Sequence, residues 1–147
     1  MPHHHERKSL PYTPEQLFDL VMRIDEYPQF LPWCIASRVF ETGDDYVRAD
    51  LVIGYKFFRE KFTSHVTFTR PDRIHVHYVD GPMKNLSNQW LFIRNDDGTC
   101  TIDFDVDFEF SNPLLQGFIS IFFNEAVRRM VAAFEKRADE LFGNDVQ

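Results

Sequence analysis

The segment CTIDFDVDFEF, residues 100–110, alternates apolar and polar side chains without a break. Successive side chains of a β-strand point to opposite faces, so this pattern predicts a strand with one buried and one solvated face. The buried face is predicted to carry Cys100, Ile102, Phe104, Val106, Phe108 and Phe110. A chain with such a strand is expected to form a sheet that is covered on one side.

Shorter alternating runs begin at Ile35 and are separated by the turn sequences ETGDD, RPDR and NDDG. Short turns connect antiparallel neighbours, so the sequence predicts about six consecutive strands in a meander. Pairing of Arg70 with Ile74 would match the apolar faces of two of these strands. A further short strand is predicted from Glu6 to Leu10, which makes about seven in total.

Two helical regions are predicted, one on each side of the meander. Thr13 and Pro14 suit the N-cap and first position of a helix that continues to Glu26. Asn112 and Pro113 begin a second helix that continues to about residue 141, long enough to cross a sheet. Its broad apolar stripe consists of Leu115, Ile119, Phe122, Phe123, Ala126, Met130, Ala133, Phe134 and Leu141.

A second apolar stripe, Leu114, Phe118 and Ile121, lies on the other side of the final helix. It cannot face the sheet if the broad stripe does. Two destinations remain open: packing against the first helix at Leu17 and Leu20, or contact with a membrane or a partner.

The stretch EYPQFLPWC, residues 26–34, is apolar but contains two prolines, which disfavour a regular helix. It is predicted either to plug one end of the core or to form the wall of a cavity. The 16 phenylalanines among 147 residues favour the cavity, because they exceed what a small core requires. The predicted fold class is α+β: a curved antiparallel sheet around a long C-terminal helix, with an internal hydrophobic cavity.

Composition excludes several classes of protein. Sixteen Lys and Arg against 23 Asp and Glu give a net charge of −7, which argues against direct DNA binding. No segment has the roughly 20 apolar residues that span a bilayer. Cys34 and Cys100 lack the spacing of a disulfide framework and are interpreted as reduced thiols of a cytoplasmic protein. His3, His4 and His5 are expected to be disordered and to bind no metal.

No nucleophile, nucleotide-binding or metalloprotease motif occurs in the sequence. His65, His75 and His77 could meet on the outer sheet face, where solvated strand histidines are the expectation rather than a metal site. The row Asp103, Asp105, Asp107 and Glu109 is interpreted as a solvated face. Three polar residues, Tyr78, Asn88 and Arg94, have inward parity and are predicted to bond either a ligand carbonyl or another protein group.

Several segments in order along nearly the whole chain resemble the coenzyme Q-binding START-domain family. They are Leu10-Pro11-Tyr12, EQLFDLV, YPQFLPWC, GPMKNLSNQWLF and DFDVDFEFSNPLL. Bacterial members of that family are labelled ribosome-association toxins or polyketide cyclase/dehydrase-like proteins. The resemblance implies a helix-grip fold over residues 1–147 as a single START-like lipid-binding domain. Met83 and Asn88 depart from the aromatic residue and the glycine that the family often shows there, which affects the expected shape of the pocket mouth.

The resemblance implies a site for ubiquinone or a related polyprenyl lipid. The matching positions are Tyr27, Pro28, Phe30, Leu31, Pro32, Trp33, Trp90, Phe92, Phe104, Phe108 and Phe110. Inward parity and the final helix add Tyr78, Asn88, Phe118 and Phe122 as candidate ligand contacts. No catalytic residue, metal ligand or catalytic cofactor is predicted.

The primary hypothesis is a non-catalytic carrier of ubiquinone that supports respiratory electron transport. Its expected location is the cytoplasm, with peripheral contact at the inner membrane through Leu114, Phe118 and Ile121. The first alternative is a toxin-like modulator of translation that binds the ribosome. The second is a polyketide cyclase or dehydratase that uses the cavity's polar groups.

Overall fold

A computed structural model describes residues 3–55, 58–81 and 83–143. Its strands are β1 (His3–Leu10), β2 (Cys34–Thr42), β3 (Tyr46–Tyr55), β4 (Phe58–Thr69), β5 (Arg73–Asp80), β6 (Met83–Arg94) and β7 (Cys100–Phe110). They form one antiparallel sheet in the order β1-β7-β6-β5-β4-β3-β2. The predicted meander is confirmed, and β7 alternates buried and half-buried side chains along its whole length.

The N-terminal strand begins at His3, not at Glu6, and the expectation that the three histidines are disordered is wrong. His3, His4 and His5 pair in register with Asp107, Val106 and Asp105 of β7. The His5 ring lies 2.7 Å from an oxygen of Asp103. Asp103 and Asp105 of the acidic row therefore have a structural use, because their carboxylates contact histidine and arginine side chains of the edge strand β1.

The register between β4 and β5 differs from the one that the sequence predicts. Phe68, not Arg70, pairs with Ile74. The Asp72 N–H donates to the Thr69 carbonyl oxygen at 2.7 Å, which places Arg70 inside the turn. The Arg70 guanidinium then reaches Asp19 with two hydrogen bonds of 2.9 and 3.0 Å.

Helix α1 (Pro14–Met22) begins where the sequence predicts, with a reciprocal capping box between Thr13 and Gln16. It ends earlier than predicted. A 3-10 helix (Ile24–Gln29) follows and contains Pro28. Proline lacks an N–H for an α-helical bond, so the chain continues through this tighter helix into an irregular turn before β2.

Helix α2 (Pro113–Phe142) is capped by Asn112, whose side-chain oxygen accepts the Leu114 and Leu115 N–H groups. Its buried residues are Phe123, Val127, Val131, Phe134 and Ala138. The sequence-predicted stripe therefore missed Val127, Val131 and Ala138. It also wrongly included Leu141, whose side chain is exposed.

The second stripe of α2 does not pack against α1. Leu114 is 86% exposed and Ile121 is 76% exposed, whereas Phe118 is half-buried with its ring 5.2 Å from that of Phe122. The segment before α1 is held at the C-terminal end of α2, where the Tyr12 hydroxyl donates to Asp139. The second stripe lies at the N-terminal end of α2. The first half of α2 is left to cover the other end of the sheet.

Candidate ligand-binding cavity

A cavity of about 280 Å³ lies between α2 and the inner face of the sheet. Val21 and Met22 at the end of α1 close one side, and the 3-10 helix with the turn after it closes another. The inward residues of strands β3 to β7 form the floor, and Ile119 and Met130 belong to the roof that α2 provides. The internal cavity predicted from the sequence is therefore present.

Eight of the predicted ligand contacts line this cavity. They are Tyr27, Leu31, Trp33, Asn88, Trp90, Phe108, Phe110 and Phe122. They come from the 3-10 helix and its following turn, β6, β7 and α2. The structure thus brings together residues up to 95 positions apart in sequence, from Tyr27 to Phe122.

The other seven predicted contacts do not line the cavity. They are Pro28, Phe30, Pro32, Tyr78, Phe92, Phe104 and Phe118. Phe92 packs edge-on against Phe18 at 5.8 Å, and Phe104 packs 4.4 Å from Trp90 in the solid part of the core. The correct parity placed these two rings on the inner face, but α1 fills the space above them.

Two polar residues that were predicted to face inward have other roles. The Tyr78 hydroxyl accepts the Met83 N–H at 3.0 Å, between β5 and β6. The Arg94 guanidinium is exposed and pairs with Glu15 on α1, so the predicted inward role of Arg94 is wrong. Arg94 lies at the end of β6, where the sheet face meets the start of α1 instead of the cavity.

Sequence reasoning missed Ser64, which lines the cavity and is only 1% exposed. Its position was readable, because Phe62, Ser64 and Val66 share one parity along β4. A single serine between apolar residues barely interrupts the hydrophobic pattern, so the sequence gives only a weak signal of a polar cavity residue there. Met83 and Leu86, at the start of β6, also line the cavity.

The wall formed by residues 27–34 is apolar because its polar atoms bond to the backbone. The Tyr27 hydroxyl donates to the Val21 carbonyl oxygen, and burial raises the pKa of this phenol. The Trp33 indole N–H donates to the Ala126 carbonyl oxygen at 3.1 Å, which fastens the wall to α2. Burial also raises the pKa of the Cys34 thiol to about 11. These side chains therefore present their apolar parts to the cavity.

Asn88 is different, because its side-chain oxygen Oδ1 is buried and has no hydrogen-bond partner. The residue lies on β6 between Val76 of β5 and Val106 of β7, and all three line the cavity. An unpaired buried acceptor is rare in folded proteins and calls for an explanation. Asn88 is the polar residue between two valines in this part of the cavity wall.

The histidines on the outer sheet face form contacts with each other and with their neighbours. The His75 and His77 rings lie 4.0 Å apart, and the His65 Nδ1 accepts the Arg48 Nε–H at 3.2 Å. Burial lowers the pKa of His75, and the neighbouring His77 lowers it further. Across residues 3–55, 58–81 and 83–143, no three His, Cys, Asp or Glu side chains are grouped to hold a metal ion.

Among the described helices, none combines the length and apolarity that crossing a bilayer requires. This includes α2, although its first half carries apolar side chains on several sides.

The family model described as polyketide cyclase/dehydrase and lipid transport matches residues 10–135. A protein of Rickettsia prowazekii named ribosome association toxin RatA is 40% identical over 138 residues, covering 91% of this chain and 94% of its own length. A mitochondrial protein of Xenopus laevis named coenzyme Q-binding protein COQ10 homolog B is 35% identical over 142 residues. That match covers 94% of this chain and 58% of the Xenopus protein.

Solved structures share the same architecture. The solution structure of an 18 kDa protein from Caulobacter crescentus is 36% identical, with a TM-score of 0.79 and coverage of 97% of this chain and 99% of that one. A START superfamily protein from Mycobacterium smegmatis has a TM-score of 0.81 at 14% identity, covering 95% and 98%. An aromatase/cyclase from a Streptomyces species has a TM-score of 0.82 at 12% identity, covering 94% and 93%. The last two similarities establish the fold alone.

Proposed function

Because the chain belongs to the polyketide cyclase/dehydrase and lipid transport family, we propose that it is a lipid-binding domain whose ligand is ubiquinone or a related polyprenyl lipid. The observation that carries this proposal is the cavity itself, about 280 Å³ with mainly apolar walls. Small-molecule pockets are commonly about 300–1,000 Å³. The cavity therefore suits a ring with the first part of its tail, and a long tail must protrude.

The proposed role is non-catalytic: the domain holds the lipid and delivers it to respiratory electron transport. The name of the Xenopus relative, a coenzyme Q-binding protein, supports this choice of ligand. The fold alone does not decide between carrier and enzyme, because an aromatase/cyclase shares it.

A cavity-filling variant tests lipid binding. Ala126 lines the cavity from α2, so Ala126→Phe is expected to occupy space that the ligand needs. Ala132→Phe is the matched control, because Ala132 is an exposed residue of the same helix. The protein is purified without detergent and extracted with organic solvent, and the extract is analysed for quinones by mass spectrometry. Quinone should accompany the wild type and Ala132→Phe but not Ala126→Phe. Its absence from the wild type, together with no response to added quinone, would reject the proposal.

The names of similar relatives favour a second candidate function, association with the ribosome. Relatives from Rickettsia prowazekii and Pseudomonas aeruginosa are both named ribosome association toxin RatA, and each match covers at least nine-tenths of both chains. Ribosomal RNA would need a basic contact surface. Arg128 and Lys136 are exposed on α2 and could contribute to one.

Sedimentation of the protein with purified ribosomes through a sucrose gradient at physiological salt tests this second candidate. Co-sedimentation that Arg128→Glu with Lys136→Glu abolishes would support it. Repeating the experiment with Ala126→Phe separates the two functions: if the filled cavity leaves co-sedimentation unchanged, ribosome association does not depend on the lipid.

A further inference from the structure

The outer face of the sheet, on the side away from the cavity, carries a concentration of rings and hydrogen-bonding side chains. Strand register places eight of them in two rows that cross β3, β4, β5 and β6. The first row is Arg48, His65, His77 and Ser87, and the second row is Tyr46, Thr67, His75 and Gln89. Both rows lie wholly within the described residues, and neither contains an acidic residue between β3 and β6.

The rings of the two rows adjoin one another. The Tyr46 and His65 rings stack 5.0 Å apart, the His65 and His77 rings lie 6.3 Å apart, and the His77 ring lies 4.0 Å from that of His75. His77 is exposed and the other three are half-buried. Burial lowers the pKa of His75, and the neighbouring His77 lowers it further, so the His75 ring is neutral near neutral pH. Adjoining rings on an open sheet suit the stacking of unpaired nucleic-acid bases.

Two arginines border these rings. Arg48 is at the β3 end of its row, where its Nε–H donates to His65 Nδ1 at 3.2 Å, and Glu41 lies 4.0 Å from it. Arg73 is exposed two residues before His75, and thus on the same face of β5. Guanidinium groups bind phosphate oxygens and fix the register of a nucleic acid on a protein.

The carboxylates around the two rows have partners within the protein. Asp107 and Asp105 of β7 continue the rows, and they contact Asn85 and His3 respectively. Asp50 of β3 pairs with lysine and arginine side chains. The acidic residues of this face are therefore offset locally, although the net charge of the chain is −7.

A groove of about 550 Å³ adjoins the rows at the turn between β5 and β6. Its lining includes His75, His77 and Asn85, together with the charged residues Asp80 and Lys84. A polymer that lies along the rows can continue into this groove, where side-chain amides and imidazoles offer hydrogen bonds.

We infer that the outer face of β3 to β6 binds single-stranded RNA, with bases stacked on the rings of the two rows and phosphates near Arg48 and Arg73. This inference rests on the second candidate function, association with the ribosome, and names the surface and the form of RNA involved. The rows span three gaps between strands, about 14 Å, which accommodates two or three nucleotides. Duplex RNA fits less well, because its bases are already stacked and paired.

Fluorescence anisotropy of a labelled 12-nucleotide single-stranded RNA tests the inference, with the same RNA annealed to its complement as the comparison. The key variant is His75→Ala with His77→Ala. Its matched control is His3→Ala with His5→Ala, which removes two histidines at the same spacing from the same sheet face, on β1. The wild type should bind the single strand more tightly than the duplex. The key variant should bind the single strand about fivefold more weakly or worse, and the control should match the wild type.

The salt dependence of binding provides a second readout that does not require the histidine variant to fold. Arg73→Ala changes one exposed side chain. If Arg73 contacts one phosphate, this variant should reduce the slope of log Kd against log salt concentration by about 0.7. An unchanged slope would place the phosphates elsewhere and overturn this part of the inference.

Other outcomes would also overturn the inference. Equal binding of single strand and duplex, or equal losses in the two histidine variants, would show that the rings are not the contact. Self-association that only the His75 and His77 substitutions abolish would assign the surface to a second copy of the chain. If RNA does not bind but the protein still co-sediments with ribosomes, the inference is wrong and ribosome association stands. Failure of both would reject ribosome association as well, whereas lipid binding is tested separately by Ala126→Phe.

Discussion

Single hydrogen bonds decide the chemical character of the cavity wall. Tyr27 and Trp33 could each present a polar atom to a ligand, yet both donate to backbone carbonyls instead. Turning these atoms outward leaves rings and aliphatic carbons facing inward, which favours an apolar ligand. Tyr27 and Trp33 contribute large, rigid rings to the wall. Their hydrogen bonds fix the wall to the backbone of α1 and α2.

Cys34 offers a chemical reporter of this environment. Burial raises the pKa of its thiol from 9.0 to about 11, so the reactive thiolate is scarce near neutral pH. Alkylation by iodoacetamide at pH 8 should be roughly 100-fold slower than in unfolded protein, since a pKa difference of about two lowers the thiolate fraction by that factor. The rate should rise with pH up to about 11. The experiment uses a Cys100→Ala background, and a rate that levels off near pH 9 would contradict the prediction.

Phe104 and Phe110 provide a comparison between solid core and cavity wall. Both face inward from β7, but Phe104 is 1% exposed in packed core whereas Phe110 lines the cavity. Phe104→Ala should lower the free energy of unfolding by about 3–5 kcal/mol, and Phe110→Ala should cost clearly less, because part of its ring borders empty space. Urea unfolding measures both. Equal losses at the two positions would mean that the cavity is filled by side chains in solution.

Among the elements, the 3-10 helix depends on α2 for its position. The Arg137 guanidinium donates to Gln29 at 3.1 Å and to Glu26 at 3.4 Å, and it lies 5.4 Å above the Phe30 ring. Phe30 in turn packs edge-on against Phe134 at 5.3 Å. These contacts hold one wall of the cavity against its roof.

Arg137→Ala is expected to loosen that wall. Because Arg137 is partly exposed, the stability loss should be modest, about 1–2 kcal/mol, while hydrogen exchange of the amides in residues 24–34 should accelerate. Arg137→Lys is the matched control: it keeps the charge but loses the planar group over Phe30. Unchanged exchange in Arg137→Ala would show that aromatic packing alone holds the 3-10 helix.

The first half of α2 carries two large apolar side chains in solvent, and we propose that it touches a bilayer when lipid is exchanged. Leu114 and Ile121 are two turns apart, about 10 Å along the helix. Ile119 and Phe122, within two residues of Ile121 in sequence, line the cavity. Burial of two such side chains supplies about 3–6 kcal/mol, which suits reversible contact better than anchoring.

Leu114→Asp with Ile121→Asp tests this contact. Since both side chains are mostly exposed, the double variant should keep its melting temperature but lose co-sedimentation with phospholipid vesicles. Leu141→Asp, near the opposite end of the same helix, controls for added charge and should retain vesicle binding. Vesicle binding that persists in the double variant would place the contact elsewhere.

Most of the molecule surrounds the cavity, because both helices, the 3-10 helix and six of the strands, β2 to β7, contribute to its lining. A bound ligand therefore contacts most of the fold at once. A ligand present at 100 times its dissociation constant stabilises the native state by about 2.7 kcal/mol. For a chain of 147 residues this corresponds to a rise in melting temperature of about 5–10 °C.

Differential scanning fluorimetry with a ubiquinone analogue that carries a decyl tail measures this rise. The shift should be present in Ala132→Phe and absent in Ala126→Phe. A shift that persists undiminished in Ala126→Phe would indicate binding outside the cavity.

The fold could be predicted because its signals are local and repeated. Strict alternation from Cys100 to Phe110, short polar turns and the capping residues Thr13 and Asn112 each specify one element from its own sequence. Consecutive antiparallel strands then leave little choice of topology. Parity along β6 and β7 also placed Asn88, Trp90 and Phe108 on the inner face, and all three line the cavity.

Tertiary structure decided which inward residues border the cavity and which lie in solid core. Phe104 and Phe110 have the same parity in the same strand, and only the position of α1 makes one of them packed core. It also decided that Leu114 and Ile121 are exposed and that the amide oxygen of Asn88 lacks a partner. A sequence determines which side of an element is apolar, because that depends on local geometry. It does not determine what lies opposite, because that depends on contacts between residues far apart along the chain.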